Sequence, residues 1–205
     1  QKILKKKFLY KKIILKPKTS TGARDTYLID SKVSKINQLN ERGFITGSWK
    51  KIKSYILKNH KSLKNYLLMQ YFEGKTYDVD VIAKNGRIIL AIPRLRVWRN
   101  KFSSISEGCK IMNHKSIYKL CEGICKKLKI NGPCDFDIIE KNKKLYIIDA
   151  SCRLSGSVGA TIASGLNLPE ILISLGNRKI IKKKITKKNL YFFPVKIFYS
   201  KNQLH

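Results

Sequence analysis

Residues 132–160 of the 205-residue chain read GPCDFDIIEKNKKLYIIDASCRLSGSVGA. Polar and apolar residues alternate on either side of a short polar segment. This predicts two β-strands, 134–140 and 144–150, joined by a turn around Asn142. A loop of small residues, Ser151 to Gly159, follows the second strand and leads into a predicted helix. The stretch therefore predicts a β-hairpin whose second strand opens into a small-residue loop.

The predicted hairpin brings carboxylates together. Side chains of one strand parity share a face, so Asp135 points with Asp137, and Asp149 points with Ser151. Pairing of the two strands through the turn predicts that Asp137 lies opposite Asp149. Two carboxylates at that separation repel each other unless a cation lies between them, and oxygen ligands favour Mg²⁺ or Mn²⁺ over zinc. The alternative is a pair of solvated carboxylates at the edge of a sheet.

The remaining elements alternate irregularly along the chain. Further β-strands are predicted at 8–16, 26–29, 67–72, 77–83 and 87–97. Helical or amphipathic stretches are predicted at 31–42, 49–58, 115–129, near 160–165 and from Pro169 onward. Asn85 and Gly86 predict a hairpin turn between two of the strands, because both residues tolerate positive φ. Irregular alternation with hairpins predicts an α+β fold rather than a doubly wound sheet.

Two basic segments suit the binding of phosphate. Residues 16–25, KPKTSTGARD, place a lysine at the end of a strand before a loop of hydroxyl residues and glycine. Such a loop can present backbone N–H groups and one fixed cation, although an ordinary turn between strands would look the same. Arg94 and Arg96 share one parity of a predicted strand, and guanidinium groups suit phosphate oxygens. The alternative there is an exposed basic strand.

Composition and charge narrow the class of protein. The formal net charge is +31, from 44 basic against 13 acidic residues, and the excess is mostly lysine spread along the chain. This favours either compositional drift with solvated lysine faces or a polyanionic partner, and we expect nucleic acid to bind only non-specifically. No apolar run approaches the length that spans a membrane, so no membrane partner is expected. Five cysteines without a CxxC pair favour a reduced, cytoplasmic protein. Cys121 and Cys125 are expected on the buried face of the helix at 115–129, as core residues rather than ligands.

Three segments, taken in order, resemble the ATP-grasp superfamily, and are nearest to its carbamoyl-phosphate-synthetase-like branch. They are IILKPKTSTGARDTYLI at 13–29, LLMQYFEGKTYDVDVIAKNGRI at 67–88, and the 132–160 stretch. The resemblance implies an α+β ATP-grasp fold in which two α+β lobes clasp ATP. Residues 1–68 would form a small lid subdomain with the phosphate-binding loop, and residues 69–205 a larger lobe with the hinge and the metal site. We expect the N-terminal lobe of the family to be missing, or to be supplied by a partner.

The same resemblance implies a set of site residues. The nucleotide would be bound by Lys16, by the loop Thr19, Ser20, Thr21, Gly22 and Ala23, by the hinge Gln70, Tyr71 and Phe72, and by Thr76 and Asp78. Mg²⁺ or Mn²⁺ would be held by Asp137, Asp149 and Ser151. Arg153 would steady the transferring phosphate, with Arg94 as a second candidate catalytic arginine. The sequence departs from the family pattern at Gln70, Thr76 and Ser151, where the family has Glu, Glu and Asn.

The function that the resemblance implies is that of an ATP-dependent ligase. ATP and a small-molecule carboxylate would give an acyl phosphate, which a small-molecule amine (or thiol) would attack. Catalysis would consist mostly of charge neutralisation and positioning. The alternative is a non-catalytic or truncated ATP-grasp remnant, basic in character, that binds nucleotide or nucleic acid. The pair Asp137 and Asp149 favours the ligase, because nucleic-acid binding does not require it.

Overall fold

The computed structural model describes residues 12–19, 25–33, 35–38, 45–59, 61–98, 108–177 and 191–192. These residues fall into two compact units: the described residues up to Glu73 form the first, and those from Gly74 onward form the second. Within the described ranges no helix has both the length and the apolar character needed to cross a bilayer.

The first unit is built on a five-stranded sheet with the order β3-β4-β2-β1-β5. Its strands are β1 Lys12–Pro17, β2 Tyr27–Asp30, β3 Asn37–Gln38, β4 Ile45–Gly47 and β5 Tyr66–Gln70. Helix α1, Trp49–Lys58, packs Ile52 and Ile56 against one face of this sheet, where Ile13, Leu15 and Tyr27 are buried. The predicted amphipathic stretch at 49–58 is therefore confirmed as a helix.

The prediction of a helix at 31–42 is wrong where the structure describes this segment. Asn37 and Gln38 form strand β3, which pairs antiparallel with Thr46 and Ile45 of β4. A turn precedes the strand, in which the Asp30 carboxylate accepts a hydrogen bond from the backbone N–H of Lys32 at 2.9 Å. Pairing with β4 satisfies the backbone groups that a helix would have satisfied locally, so tertiary context overrides the local pattern.

The second unit is built on a six-stranded antiparallel sheet with the order β10-β9-β6-β7-β8-β11. Its strands are β6 Lys75–Lys84, β7 Arg87–Trp98, β8 Gly108–Ile111, β9 Gly132–Lys141, β10 Lys144–Ser151 and β11 Tyr191–Phe192. Its helices are α2 Lys115–Leu128, α3 Val158–Ala163 and α4 Leu168–Gly176. Strands and helices mix without a βαβ repeat, which confirms the predicted α+β class.

The two faces of this sheet are covered differently. Helix α2 covers one face, where Cys121 and Cys125 pack against Val79 and Phe136, as the apolar stripe of the helix predicts. On the other face, α3 and α4 cover only part of the sheet. The buried apolar residues there are Ile82, Ile92, Ile111, Leu166, Leu168 and Ile171. The rest of that second face carries the polar side chains described below.

Two tight turns set the register of the strands around β6 and β9. Asn85 and Gly86 join β6 to β7 with φ of 51° and 77°, and Asn142 and Lys143 join β9 to β10 with φ of 51° and 62°. Positive φ at both central residues is the signature of the type I′ hairpin turn. The hairpins predicted from Asn85-Gly86 and from the turn around Asn142 are confirmed.

Candidate functional site

Two rows of polar residues cross the partly open face of the second sheet. Residues that lie opposite each other on neighbouring antiparallel strands share a face, so each row follows from the strand pairing. The first row is Asp149 of β10, Asp137 of β9, Asp78 of β6 and Arg94 of β7. The second row is Ser151, Asp135 and Asp80. The predicted pairing of Asp137 with Asp149 is confirmed.

A β-bulge makes that pairing. Ile147 lies opposite Ile138, and continuing this register would place Asp149 opposite Phe136, whose side chain is buried under α2. One additional residue in β10 shifts the register, so that Asp149 lies opposite Asp137. Bulges of this kind re-aim side chains next to functional sites.

Arg96 joins two of the carboxylates. Its Nε donates to the Asp78 carboxylate at 2.8 Å, its Nη2 also donates to Asp78, and the same Nη2 donates to Asp137 at 2.9 Å. Although burial acts in the opposite direction, Arg96 lowers the pKa of Asp78. Burial raises the pKa of Asp137 to about 7, because Arg96 opposes the effect only in part and Asp78 adds to it. Two neighbouring carboxylates thus share one guanidinium, and Asp137 is the one left short of positive charge.

Asp135 lies in a similar position in the second row. Burial raises the pKa of its carboxyl to about 6, and the charges of Asp80 and Asp78 raise it further. Its Oδ1 is buried and has no hydrogen-bond partner, while its Oδ2 lies 3.6 Å from Nη1 of Arg153. The Arg153 side chain is 61% exposed, and the same Nη1 donates to the carbonyl oxygen of Leu154. Arg153 is therefore next to the carboxylates and open to solvent.

Arg94 lies in a different environment from the one its basic strand suggests. Its side chain has no exposed surface and forms an ion pair with Asp80, which is also fully buried. Its remaining partners are the hydroxyl oxygens of Ser155 at 2.6 Å and Thr161 at 2.8 Å, and the carbonyl oxygen of Ser157 at 3.5 Å. The alternative of an exposed basic strand is wrong, since Arg96 is also nearly buried.

The predicted nucleotide-binding residues of the first unit lie on β1 and β5. Lys16 is partly buried and pairs with Leu67. Because strand neighbours alternate and Leu15 packs under α1, Lys16 lies on the opposite face of that sheet. Thr19 is exposed just after β1, whereas Ser20, Thr21, Gly22 and Ala23 lie outside the described residues.

The predicted hinge follows directly from β5 in the same unit. Gln70 ends that strand opposite Ile13, and Tyr71 and Phe72 follow it, half-buried. The ammonium group of Lys12 lies 5.5 Å from the centre of the Tyr71 ring. The hinge residues are therefore partly covered within their own unit.

The predicted metal ligands and Thr76 lie on the second unit. Thr76 is buried on β6 opposite Ile139. Asp149 is exposed, Ser151 is half-buried and the Asp137 side chain is 27% exposed, so a small cation has access to the row. Within the described ranges no group of three or more His, Cys, Asp or Glu residues is arranged to hold a metal ion. The predicted set is smaller than such a group, since it consists of two carboxylates and one hydroxyl.

Three residues of the site, Asp80, Ser155 and Thr161, have no role predicted from the sequence. The alternation of β6 carries a signal for Asp80, because it shares the parity of Asp78. Nothing local marks Thr161, whose link to Arg94 depends on how α3 packs. Two surface depressions of this unit lie away from the polar rows, around Lys84 and Ile89 at the far end of β6.

A protein-family model matches a large part of the chain by sequence. The family model described as "ATP-grasp in the biosynthetic pathway with Ter operon" matches residues 62–192. The matched range contains the predicted hinge, both polar rows and Arg153. A search of the curated proteins by sequence gave no significant match.

Comparison with solved structures finds the same architecture at low sequence identity. D-alanine–D-alanine ligase from Bacillus anthracis is 14% identical with a TM-score of 0.56, over 87% of this chain and 58% of that one. Phosphoribosylglycinamide synthetase from Anaerococcus prevotii is 12% identical, with a TM-score of 0.54 over 93% of this chain and 47% of that one. L-amino acid ligase from Bacillus licheniformis is 13% identical, with a TM-score of 0.53 over 80% of this chain and 38% of that one. The chain thus shares their fold and spans 38% to 58% of their lengths.

Proposed function

Since the chain belongs to the ATP-grasp family described for the biosynthetic pathway with Ter operon, and has the ATP-grasp fold, we propose that it is an ATP-dependent ligase. The substrates would be a small-molecule carboxylate and a small-molecule amine or thiol. The resemblance seen in the sequence is confirmed for the superfamily, whereas the carbamoyl-phosphate-synthetase-like branch stays a prediction. A further lobe or a partner that selects the substrates, and a cytoplasmic location, are also parts of this proposal.

One observation carries the proposal. Asp137 and Asp149 lie in register on neighbouring strands, with Arg153 on the loop that follows. Carboxylates that repel each other suit a bound cation, and an exposed arginine beside Asp135 suits the phosphate chain that such a cation would carry. A surface that binds only nucleic acid has no use for such a pair, because it would repel phosphate unless a metal were present.

The reaction consists of two displacements. A carboxylate oxygen of the substrate attacks the γ-phosphorus of ATP; the bond from that phosphorus to the bridging oxygen breaks, and ADP leaves. The nitrogen of the amine then attacks the acyl carbon of the acyl phosphate, phosphate leaves, and the nitrogen loses a proton. Phosphoryl transfer of this kind needs mainly positioning and charge stabilisation from the protein.

The donor set fits a hard divalent cation. The pKa of Asp137 is raised by burial, and Asp149 and Ser151 add oxygen donors on the neighbouring strand. Asp137, Asp149 and Ser151 would hold Mg²⁺ or Mn²⁺, which when bound would neutralise charge on the phosphates. Arg153 would donate to the transferring phosphate.

The nucleotide contacts are proposed for both units. Lys16 and the loop of Thr19 to Ala23 would bind the phosphates, and Gln70, Tyr71 and Phe72 the adenine. Thr76 and Asp78 would lie towards the ribose. Asp78 is already bound by Arg96, so we expect Arg96 to set the position of its carboxylate for that role.

The first experiment measures nucleotide binding. Addition of Mg·ATP at millimolar concentration should raise the unfolding midpoint of the wild type, and an unmoved midpoint would remove the basis of the proposal. Lys16→Ala should weaken binding about tenfold or more, since a hydrogen bond from a cation contributes about 1.5–3 kcal/mol. Lys58→Ala is the matched control. Lys58 is exposed at the end of α1, and replacing it removes the same charge from the same unit.

The second experiment tests the chemistry. The wild type is incubated with Mg·ATP, hydroxylamine and a panel of carboxylic acids, so that an acyl phosphate is trapped as a hydroxamate. We expect hydroxamate and ADP in equal amounts with at least one acid. Nucleotide binding without hydroxamate from any acid would instead favour the non-catalytic alternative.

A further inference from the structure

The segment 152–157 joins β10 to α3 and carries Arg153, the arginine proposed to contact the transferring phosphate. Because most of the Arg153 side chain is exposed, few contacts of its own hold it in place. Its position depends largely on the backbone that carries it. The contacts that hold residues 152–157 therefore decide where the arginine stands.

Ser155 ties this segment to the sheet at two points. Its backbone N–H donates to Oδ1 of Asp80 at 3.0 Å, and its hydroxyl oxygen accepts from Nη2 of Arg94 at 2.6 Å. Asp80 lies on β6 and Arg94 on β7, so both partners belong to the centre of the sheet. Backbone and side chain of one residue are thus held by the two members of one ion pair.

Thr161 ties α3 to the same ion pair. Its hydroxyl oxygen accepts from Nη1 of Arg94 at 2.8 Å, and its hydroxyl donates to Oδ2 of Asp80 at 3.2 Å. Thr161 has no exposed surface, and Asp80 and Arg94 are also fully buried. The network therefore holds the segment at Ser155 and again one turn into the following helix.

Stability alone gives little reason for this network. Burying two ions costs much of what their attraction returns, and apolar residues of similar volume often stabilise a fold as well. Apolar neighbours are available, since Ile82 and Ile92 lie on the same face of the same strands. What an ion pair with directed hydrogen bonds adds is a defined position for the groups that it holds.

We infer that Asp80 and Arg94 are positioning residues. They hold Ser155 and Thr161 so that Arg153 lies beside the carboxylates of the polar rows. The inference deepens the proposed function and rests on it. It gives Arg94 a role in which its guanidinium stays buried and does not touch the substrate. Arg153 remains the group that contacts the phosphate.

The test uses Ser155→Ala, which removes one hydroxyl and leaves both ions in place. Ser164→Ala is the matched control, because Ser164 is also a buried serine, and its hydroxyl donates to the carbonyl oxygen of Thr161 at 2.6 Å. A second pair of variants tests the Thr161 hydroxyl. Thr161→Val removes this hydroxyl, whereas Thr161→Ser keeps it. All four changes are small, so each variant is expected to fold.

One readout needs no nucleotide. Cys152 is exposed within the segment, while Cys109, Cys121, Cys125 and Cys134 are buried, so a nitroxide reagent should label Cys152 selectively. The label should move faster in Ser155→Ala and Thr161→Val than in the wild type, Ser164→Ala and Thr161→Ser. A label whose mobility is unchanged in Ser155→Ala would overturn the inference.

The other readout is the preference for Mg·ATP over Mg·ADP, measured by calorimetry. Arg153 is proposed to reach the phosphate that ADP lacks, so Arg153→Met should lower this preference by about tenfold. Ser155→Ala should also lower the preference for Mg·ATP, while its affinity for Mg·ADP stays unchanged. The double variant of Ser155→Ala and Arg153→Met should lose no more of this preference than Arg153→Met alone. Ser164→Ala should keep the wild-type preference.

The outcomes separate the two proposals. Equal losses for ATP and ADP in Ser155→Ala, or a fully additive double variant, would overturn the positioning role while leaving the ligase intact. A wild type that binds neither nucleotide would end the proposed function, and the positioning role with it.

Discussion

At the scale of single residues, the site is short of positive charge in a chain that has an excess of it. Arg96 donates to Asp78 and to Asp137 together, and the pKa of Asp137 remains raised to about 7. Asp149 extends the row by one more carboxylate. A divalent cation would relieve this repulsion, so the residues of the row are expected to respond to metal and to pH.

The first residue-scale prediction concerns Asp149→Asn. Removing one carboxylate relieves repulsion, so the variant without ligand should be no less stable than the wild type. The metal-dependent part of ATP binding should be lost. At a Mg·ATP concentration about 100 times its Kd, binding would stabilise the wild type by about 2.7 kcal/mol. The variant should lose most of that gain. Unfolding midpoints with and without Mg·ATP measure both effects.

The control for this prediction is Glu122→Gln, which removes one carboxylate from the exposed face of α2 in the same unit. It should keep the full shift with Mg·ATP. An Asp149→Asn protein that is destabilised yet gains the whole wild-type shift would end the metal-site proposal.

The second residue-scale prediction concerns the pH dependence of stability. Burial raises the pKa of Asp135 to about 6, so the folded state binds this proton more tightly than the unfolded chain does. Wild-type stability therefore loses this contribution as pH rises from about 4 through about 6. Relative to the wild type, the stability of Asp135→Asn should rise by about 3 kcal/mol across that window. Denaturant unfolding of both proteins from pH 4 to pH 8 gives the difference, and a constant difference would contradict the assignment.

At the scale of elements, short local features align the functional strands. The Asn85-Gly86 turn sets β6 against β7, and the bulge in β10 sets Asp149 against Asp137. The first turn also packs on the end of α2, since a Cβ on Gly86 would lie 3.1 Å from the carbonyl oxygen of Cys125. The turn therefore fixes strand register and helix position together.

The element-scale prediction compares two glycines. Gly86→Ala should lower the free energy of unfolding by about 1–3 kcal/mol, because its φ is +77° and the added carbon would meet the backbone of α2. Gly123→Ala should raise it by about 0.5–1 kcal/mol, because Gly123 lies inside α2 with nothing within 4 Å of the added carbon. Urea unfolding measures both changes. Equal signs would show that the turn is less constrained than its geometry indicates.

At the scale of the whole molecule, acidic residues are few and many of them lie on one sheet. Of the 13 acidic residues, 5 belong to the polar rows: Asp78, Asp80, Asp135, Asp137 and Asp149. A net charge of +31 attracts any polyanion, including the phosphates of ATP. It does not by itself select a nucleic acid.

The prediction at this scale is weak, non-specific binding of duplex DNA. Affinity should fall steeply with salt, with a logarithmic slope near −0.9 for each phosphate neutralised, and should vanish at about physiological salt. Fluorescence anisotropy of a labelled duplex across a salt series measures it. Asp149→Asn should bind DNA like the wild type, because that carboxylate belongs to the proposed metal site. Tight binding that survives physiological salt would favour a nucleic-acid partner.

The sequence by itself determined the features that depend on neighbours along the chain. Strand alternation put Asp135 and Asp137 on one face, the apolar stripe of α2 buried Cys121 and Cys125, and Asn85-Gly86 specified a turn. Each follows from φ, ψ and side-chain direction over a few residues. The order of three motifs was enough to indicate the ATP-grasp family.

Only the tertiary structure decided which elements meet. Strand β6 lies between β7 and β9, and this places Asp78 beside Asp137 and Asp80 beside Arg94. Strand order and helix packing depend on contacts distant in sequence, whose free energy no local pattern encodes. The same reason accounts for Asn37–Gln38, which form a strand because β4 is there to pair with them. Burial of Arg94 likewise required α3 to bring Thr161 to the sheet, so its environment could be known only from the folded chain.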